Sequence, residues 1–259
     1  RNIYNKTDSI VFKIQDVYHR KGNRMSISVE NSGETIHHVI QKALLQRRYE
    51  VFEPEAKELI ETFGIKTTRR IVASSRADAI RAAVSLGYPV VLKIISPDIS
   101  HKTDVGGVRL GIKDEEGVMA AYDEIIRNVH TKQPDVRIHG ILVEEMATPS
   151  TEVIVGGLRD TQFGPAVMFG LGGIFVEVFK DVSFRIAPVT EYEALDMIHD
   201  VKGSMILKGF RNMKALDISA LVKTIIQVSG IMVSEGNIKE IDLNPVFVYP
   251  KGIIAVDAR

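Results

Sequence analysis

Apolar positions in this chain switch between helical and strand periods, and the switches recur. From about Thr35, the residues Ile36, Val39, Ile40, Ala43 and Leu44 follow helical spacing. A second helix is predicted after Glu53-Pro54-Glu55. Proline suits a first-turn position there, and the acids suit the positive end of the dipole. Its apolar face is Ala56, Leu59, Ile60 and Phe63, and Gly64 stops it. Arg70 to Ala73 reads as a short strand. Ser75 caps a helix over 76–86 that ends at Gly87. Pro89 to Ile95 reads as a strand with β-branched residues on both sides. Val105 to Ile112 is the next strand, 115–129 a helix and 138–144 a strand. In the second half, 152–158 and 166–169 read as strands, and 191–198 and 218–229 as helices. Segments 238–244 and 253–257 form a closing pair of strands, with Tyr249-Pro250-Lys251-Gly252 between them and a turn at Glu235-Gly236-Asn237 before them. The expected fold class is α+β (α/β), with two α+β lobes and a cleft between them. The expected divisions are 1–32 as a flexible polar leader or tether, 33–143 as an N-terminal lobe with leading helices, and 144–259 as a C-terminal lobe.

Composition narrows the function. Lys plus Arg and Asp plus Glu number 33 each, so the 259-residue chain has net charge +0. A chain built for the phosphate field of nucleic acid is normally basic, so nucleic acid is not the expected partner. Cysteine is absent, which excludes disulfides, thiolate zinc, iron–sulfur clusters and a cysteine nucleophile, and fits a reducing, cytoplasmic setting. The longest apolar stretch, Phe163 to Val176, is too short and too glycine-rich to span a membrane. Gly-Lys, HExxH, GxSxG and GxGxxG do not occur, so any nucleotide is held by other means.

Five features carry chemistry. Lys93 sits in the middle of an apolar strand, where a charge is costly without a partner. It is either an edge lysine that snorkels or a cation aimed at an anion, for which phosphate is the natural choice. The loop Ser96–Val108 joins hydroxyls, His101, Lys102 and the pair Gly106-Gly107, and suits an oxyanion cradle or an ordinary hairpin. Glu144 and Glu152 flank Met146-Ala147-Thr148-Pro149, which reads either as a solvated hinge or as an adenine- and ribose-reading junction. Gly170–Glu177, followed by Asp181 and Arg185, is either a packed glycine turn or a mobile loop near a transferring phosphate. Alternation puts Glu240, Asp242 and Asn244 on one strand face, with Asp257 ending the next strand. That row is a wet sheet face or a hard-oxygen site of the kind Mg²⁺ takes.

In this order the five features resemble the ATP-grasp fold, and more closely the β subunit of ADP-forming (NDP-forming) acetyl-CoA synthetase and its acyl-CoA synthetase relatives. The stretches are VVLKIISPDISHKTDVGGV, ILVEEMATPSTEVIVGGLRDTQFGPAVMFGLGGIFVEVFKDVSFRIAPV and KEIDLNPVFVYPKGIIAVDAR, within a resemblance from about Ala43 to Arg259. The resemblance implies that Lys93 binds the α- and β-phosphates of ATP or ADP, and that Ser100, His101, Lys102 and Thr103 lie over the nucleotide. It implies that Glu144, Glu145 and Met146 hold adenine and Glu152 the ribose. Asn244, in D/E-x-N-P, and Asp257, in the following V-D, would ligate Mg²⁺, with Asp242 in support. His101 would be a shuttling histidine, catalytic together with Lys93, because a neutral imidazole is a nucleophile near pH 7. The implied partner is an α subunit carrying the CoA-binding domain and a phosphorylated histidine, in a heterotetramer of two α and two β subunits.

The segment Gly209–Asp217 departs from the family's G-x-R-G stretch, since Asn212 stands for the usual glycine. Residues before 33 have no recognised counterpart. The alternatives are a succinyl-CoA-synthetase-type or other carboxylate ligase, and a nucleotide-sensing lobe without catalysis.

Overall fold

The computed structural model describes residues 32–173, 181–209 and 214–259. The polar leader, the end of the glycine-rich stretch and Asn212 lie outside them. The chain forms two compact units. Among the described residues, one holds Ser32–Thr151 together with Leu243–Phe247 and Ile253–Arg259; the other holds Glu152–Asp242 and Val248–Gly252.

The first unit opens with helices α1 (Ser32–Leu45) and α2 (Glu53–Thr62). Strand β1 (Arg70–Ala73) leads to α3 (Arg76–Leu86), then β2 (Val90–Ile95), β3 (Val108–Ile112), α4 (Glu115–Lys132) and β4 (Gly140–Glu145). Local chemistry sets the helix ends. The Ser75 hydroxyl accepts from the Asp78 N–H at 3.1 Å, and the Asp114 carboxylate accepts from the Gly117 N–H at 2.7 Å. Gly87 closes α3 at φ 85°, in the left-handed region.

The sheet order is β1-β4-β2-β3, with antiparallel neighbours. Strand β2 therefore lies inside the sheet, and all six of its residues are buried. Alternation divides them. Val90, Leu92 and Ile94, with Ile141 and Val143 of β4, face a core completed by Ala79 and Ala83 of α3 and by Val118, Ile125 and Val129 of α4. Val91, Lys93 and Ile95, with Leu142 and Glu144, take the opposite face, where Ile95 and Leu142 cluster with Phe52. Strand β3 begins at Val108 rather than Val105, because the chain turns through Gly106 at φ 69°.

The second unit contains β5 (Thr151–Asp160), β6 (Gly164–Leu171), β7 (Val182–Ile186), α5 (Glu191–Asp200), a 3-10 helix (Lys202–Lys208) and α6 (Ile218–Ser234). Strand β7 and the 3-10 helix are not anticipated by the sequence reading. Strands β8 (Glu240–Val248) and β9 (Ile253–Ala255) follow, and the second sheet has the order β7-β6-β5-β8-β9. The Asp217 carboxylate caps α6 by accepting from the Ala220 N–H at 2.9 Å. Among the described residues no helix is long and apolar enough to cross a membrane.

Candidate functional site

Lys93 is 6% exposed in an inner strand, so the snorkelling edge lysine is ruled out. Register explains its first partner. Lys93 stands opposite Leu142, and Val91 stands opposite Glu144. Lys93 and Glu144 are thus diagonal neighbours on one face, within reach of long side chains. The ammonium lies 2.8 Å from the Glu144 carboxylate, contacts the Glu53 carboxylate and donates to the Val256 carbonyl at 3.0 Å.

Helix α2 covers this face and adds two residues that the sequence reading did not count among the site candidates. Lys57 is fully buried and Glu53 is 6% exposed. The Lys57 ammonium donates to the Thr68 hydroxyl at 3.0 Å and to the Val256 carbonyl at 2.7 Å. It also pairs with Glu53 at 3.0 Å and contacts Glu144. A faint signal was available: Glu53 and Lys57 form an i,i+4 pair in line with the apolar Ile60. Reading Glu53 only as a dipole acid concealed it.

The chain terminus returns to the same place. Ala255 bridges Thr67 in parallel, and its N–H donates to the Lys66 carbonyl at 2.9 Å. This carries Asp257 to 3.9 Å from the Lys93 ammonium and 3.7 Å from that of Lys102. Asp257, expected on the C-terminal lobe, therefore belongs to the same compact unit as Lys93. Lys102 reaches in from the loop after β2 and pairs with Glu53 at 2.6 Å.

The cluster thus has three cations, Lys57, Lys93 and Lys102, and three carboxylates, Glu53, Glu144 and Asp257. Burial works to raise the Glu53 carboxyl, but the charges of Lys93, Lys57 and Lys102 outweigh it and hold it far below the usual carboxylate range. Burial opposes the Lys93 ammonium too, and Glu53, Glu144 and Asp257 overcome it, so its pKa lies above that of an ordinary lysine. Asp257 goes the other way. Burial and then the charge of Glu53 raise its carboxyl despite the nearby lysines. Asp257 is 33% and Lys102 22% exposed in their side chains, so these two form the open edge of a closed network.

The loop beyond Lys102 is built to hold a shape. The Gly107 N–H donates to the Lys102 carbonyl at 2.7 Å, and the Ile94 N–H to the Gly107 carbonyl at 2.8 Å. A Cβ on Gly107 would stand 2.5 Å from Ile94 Cγ2, so close approach requires glycine there. Both Asp98 oxygens accept from Arg137, whose hydrogen bonds pull the Asp98 carboxyl down to about 2. Ser100, His101 and Thr103 stand exposed on this loop.

The other predicted positions are less concentrated. Glu145 accepts from Arg69 through its carboxylate at 2.6 Å, and the Met146 N–H donates to the Pro89 carbonyl at 3.1 Å. Asn244 is exposed on β8 within the first unit. Burial alternates over Ile241 and Leu243 against Glu240, Asp242 and Asn244, as the strand pattern predicts. Asp242 and Glu152 belong to the second unit. The carbonyl of Glu152 accepts from the Gly172 N–H at 2.7 Å. Asp181 and Arg185, candidates for a place beside a transferring phosphate, have partners of their own. Asp181 accepts from the Lys202 and Gly203 N–H groups, each at 3.1 Å, and Arg185 pairs with Asp196 and Asp200.

Among the described residues no three or more His, Asp or Glu side chains form a metal-holding group. A cation at this edge would have few protein oxygens and would draw its remaining ligands from water and phosphates. That is the habit of Mg²⁺. Asp257, with 33% of its side chain exposed, is the carboxylate of the cluster that such an ion can reach.

The fold is that of an ATP-grasp domain, and the family description of that name matches residues 42–259. The β subunit of acetate–CoA ligase [ADP-forming] I from Pyrococcus furiosus is 47% identical over 221 residues, 85% of this chain and 95% of that protein. A solved structure of the dinucleotide-forming acetyl-coenzyme A synthetase 1 of Ca. Korarchaeum cryptofilum, in complex with coenzyme A, Ca-AMPCP and HgCl⁺, aligns with a TM-score of 0.84 and 49% identity, over 86% of this chain and 97% of that one. Another structure of that enzyme, with coenzyme A and Mg-AMPPCP and its phosphohistidine segment pointing towards the nucleotide-binding site, aligns with a TM-score of 0.75 and 46% identity over the same shares of the two chains. The chain belongs to the β-subunit ATP-grasp chains of the ADP-forming acetate–CoA ligases, a family of acid–thiol ligases.

Proposed function

We propose that the chain is the nucleotide-binding β subunit of an ADP-forming acyl-CoA synthetase. It interconverts acyl-CoA, ADP and phosphate with carboxylic acid, CoA and ATP, and an α subunit carries the CoA-binding domain and the phosphorylated histidine. The observation that carries the reading is the buried Lys93 ammonium, 3.9 Å from the Asp257 carboxylate and beside the loop that presents His101. Phosphoryl transfer needs positioning and charge neutralisation more than covalent assistance. Lys93 and Lys102 supply fixed positive charge to the phosphates. His101 takes the phosphoryl group from the α subunit's phosphohistidine, whose N–P bond breaks as the imidazole N–P bond forms, and passes it to a terminal ADP oxygen, that N–P bond breaking as the O–P bond of ATP forms. Glu145, Met146 and Glu152 would serve the base and ribose. The Glu144 carboxylate, already engaged by Lys57 and Lys93, sets the charge of the phosphate-binding lysine. Asp257 and Asn244, with Asp242 in support, would hold Mg²⁺, which when bound neutralises phosphate charge. Two α and two β subunits in a cytoplasmic assembly complete the proposal.

The test is calorimetric titration of the chain with ADP and Mg²⁺, beside acyl-CoA-dependent ATP formation with the α subunit present. Lys93→Met is expected to lose both binding and turnover. His101→Ala is expected to lose turnover while keeping ADP affinity within a few-fold. Wild-type turnover in His101→Ala refutes the shuttle, and absence of ADP binding by the unmodified chain refutes the whole reading.

A further inference from the structure

We infer that Glu53 is a positioning residue that yokes the histidine-bearing loop to the phosphate-binding lysine, and that it weakens nucleotide binding as the cost of doing so. The inference rests on the nucleotide reading above and assigns a role to a residue outside the predicted site. Glu53 lies at the first turn of α2 and is 6% exposed. Its two oxygens meet three ammonium groups from three different segments. Oε1 faces Lys57 of its own helix at 3.0 Å and Lys93 of β2; Oε2 accepts from Lys102 of the histidine loop at 2.6 Å. Lys57 stays satisfied without it, through Thr68, Glu144 and Val256, and Lys93 keeps Glu144 and Val256. Lys102 differs. Its other carboxylate neighbour in the cluster is Asp257 at 3.7 Å, on the open edge where the cation is expected. Glu53 is therefore the buried anchor that sets where Lys102, and with it the adjoining His101, can stand.

Two consequences of opposite sign follow. A full negative charge close to Lys93 and Lys102 opposes the approach of an anionic nucleotide, so its removal favours binding. The same removal frees the loop and impairs transfer. A merely structural carboxylate would weaken binding and turnover together.

The experiment compares Glu53→Gln and Glu53→Asp with the unmodified chain. Readouts are ADP affinity by calorimetry, backbone amide exchange over residues 96–105, and turnover with the α subunit present. Glu53→Gln is expected to bind ADP on the order of tenfold more tightly, the effect of deleting one unit charge about 10 Å from the phosphates at an effective dielectric near 20. Its loop amides exchange faster and turnover falls at least about tenfold. Glu53→Asp keeps the charge and shortens the reach. It is expected to bind ADP within about twofold of the unmodified chain while the loop still exchanges faster. Unchanged loop exchange in both variants, or parallel weakening of ADP affinity and turnover in Glu53→Gln, overturns the role. If Glu53→Gln does not fold, Glu53→Asp decides by its loop exchange alone. An unmodified chain that fails to bind ADP refutes the nucleotide reading and leaves the loop-exchange comparison to judge the anchor.

Discussion

Replacing Lys57 by Met tests whether the buried centre holds by charge balance. The methionine nearly conserves volume, so the effect isolates the ammonium. Its removal leaves Glu53 with Lys93 and Lys102 and Glu144 with Lys93 and the Thr68 hydroxyl, and takes one donor each from the Thr68 hydroxyl and the Val256 carbonyl. Breaking a buried ion pair from one side costs about 3–5 kcal/mol, because the surviving charge stays desolvated. At roughly 2–4 °C per kcal/mol for a chain of this size, the melting temperature is expected to fall by about 6–20 °C. Urea unfolding and calorimetry of the full chain measure both quantities. The second arm adds Glu144→Leu to Lys57→Met, which leaves Lys93 and Lys102 against Glu53 and Asp257, two charges of each sign. The double variant is expected to recover at least half of the loss, standing about 2 kcal/mol above Lys57→Met, and Glu144→Leu alone completes the cycle. A single-variant loss under about 1 kcal/mol, or strictly additive losses in the double variant, refutes charge balance as the basis of the centre.

Asp257→Asn is expected to raise the melting temperature of the ligand-free chain at neutral pH and to abolish turnover in the assembled enzyme. A carboxyl whose pKa is raised on folding is strained when ionised, and its contribution to stability is lost as pH rises. Thermal unfolding without nucleotide checks it, and a lower melting temperature contradicts it. Glu53 has the opposite sign. Its lowered carboxyl contributes stability above the unfolded value near 4.5 and loses it as pH falls through acid. Urea midpoints measured from about pH 6 to pH 2 are expected to fall, and to fall less steeply in Glu53→Gln. Gly107→Ala is expected to destabilise the chain by about 1–3 kcal/mol through overpacking against Ile94, with faster amide exchange in the His101 loop.

Most helices and strands were legible because their chemistry is local. Ser75 and Gly87 bracket α3, and Asp114 caps α4. Continuous apolar sequence marks β2 as buried on both faces. Strand β7 was missed: its residues alternate in burial, but exposed Phe184 and Ile186 blur the apolar–polar pattern. Lys93 stood out because a charge amid Val, Leu and Ile is anomalous by itself. Glu53 and Lys57 did not, since an acid at a helix start and a lysine four residues on also describe an ordinary exposed helix. What separates the two cases is the segment ending at Asp257, about 200 residues away in sequence, which no local period encodes.

The return of that terminal segment has a consequence for how the site can work. Val256 offers its carbonyl to both Lys57 and Lys93, so the backbone beside Asp257 is fixed by two buried ammonium groups. The Asp257 carboxylate then cannot follow an incoming ligand by moving its main chain; it meets the ligand where the lysines have set it. Preorganised charge of this kind does not reorient when phosphate arrives, and that reorganisation is the cost that electrostatic catalysis avoids. The exposed element is the loop that presents His101, held from inside through the Lys102–Glu53 pair and from outside by the Asp98–Arg137 pair. On the proposed reading, an Asp257 end fixed by two buried ammonium groups beside a tethered His101 loop suits a reaction in which the nucleotide stays still and the phosphoryl carrier comes and goes.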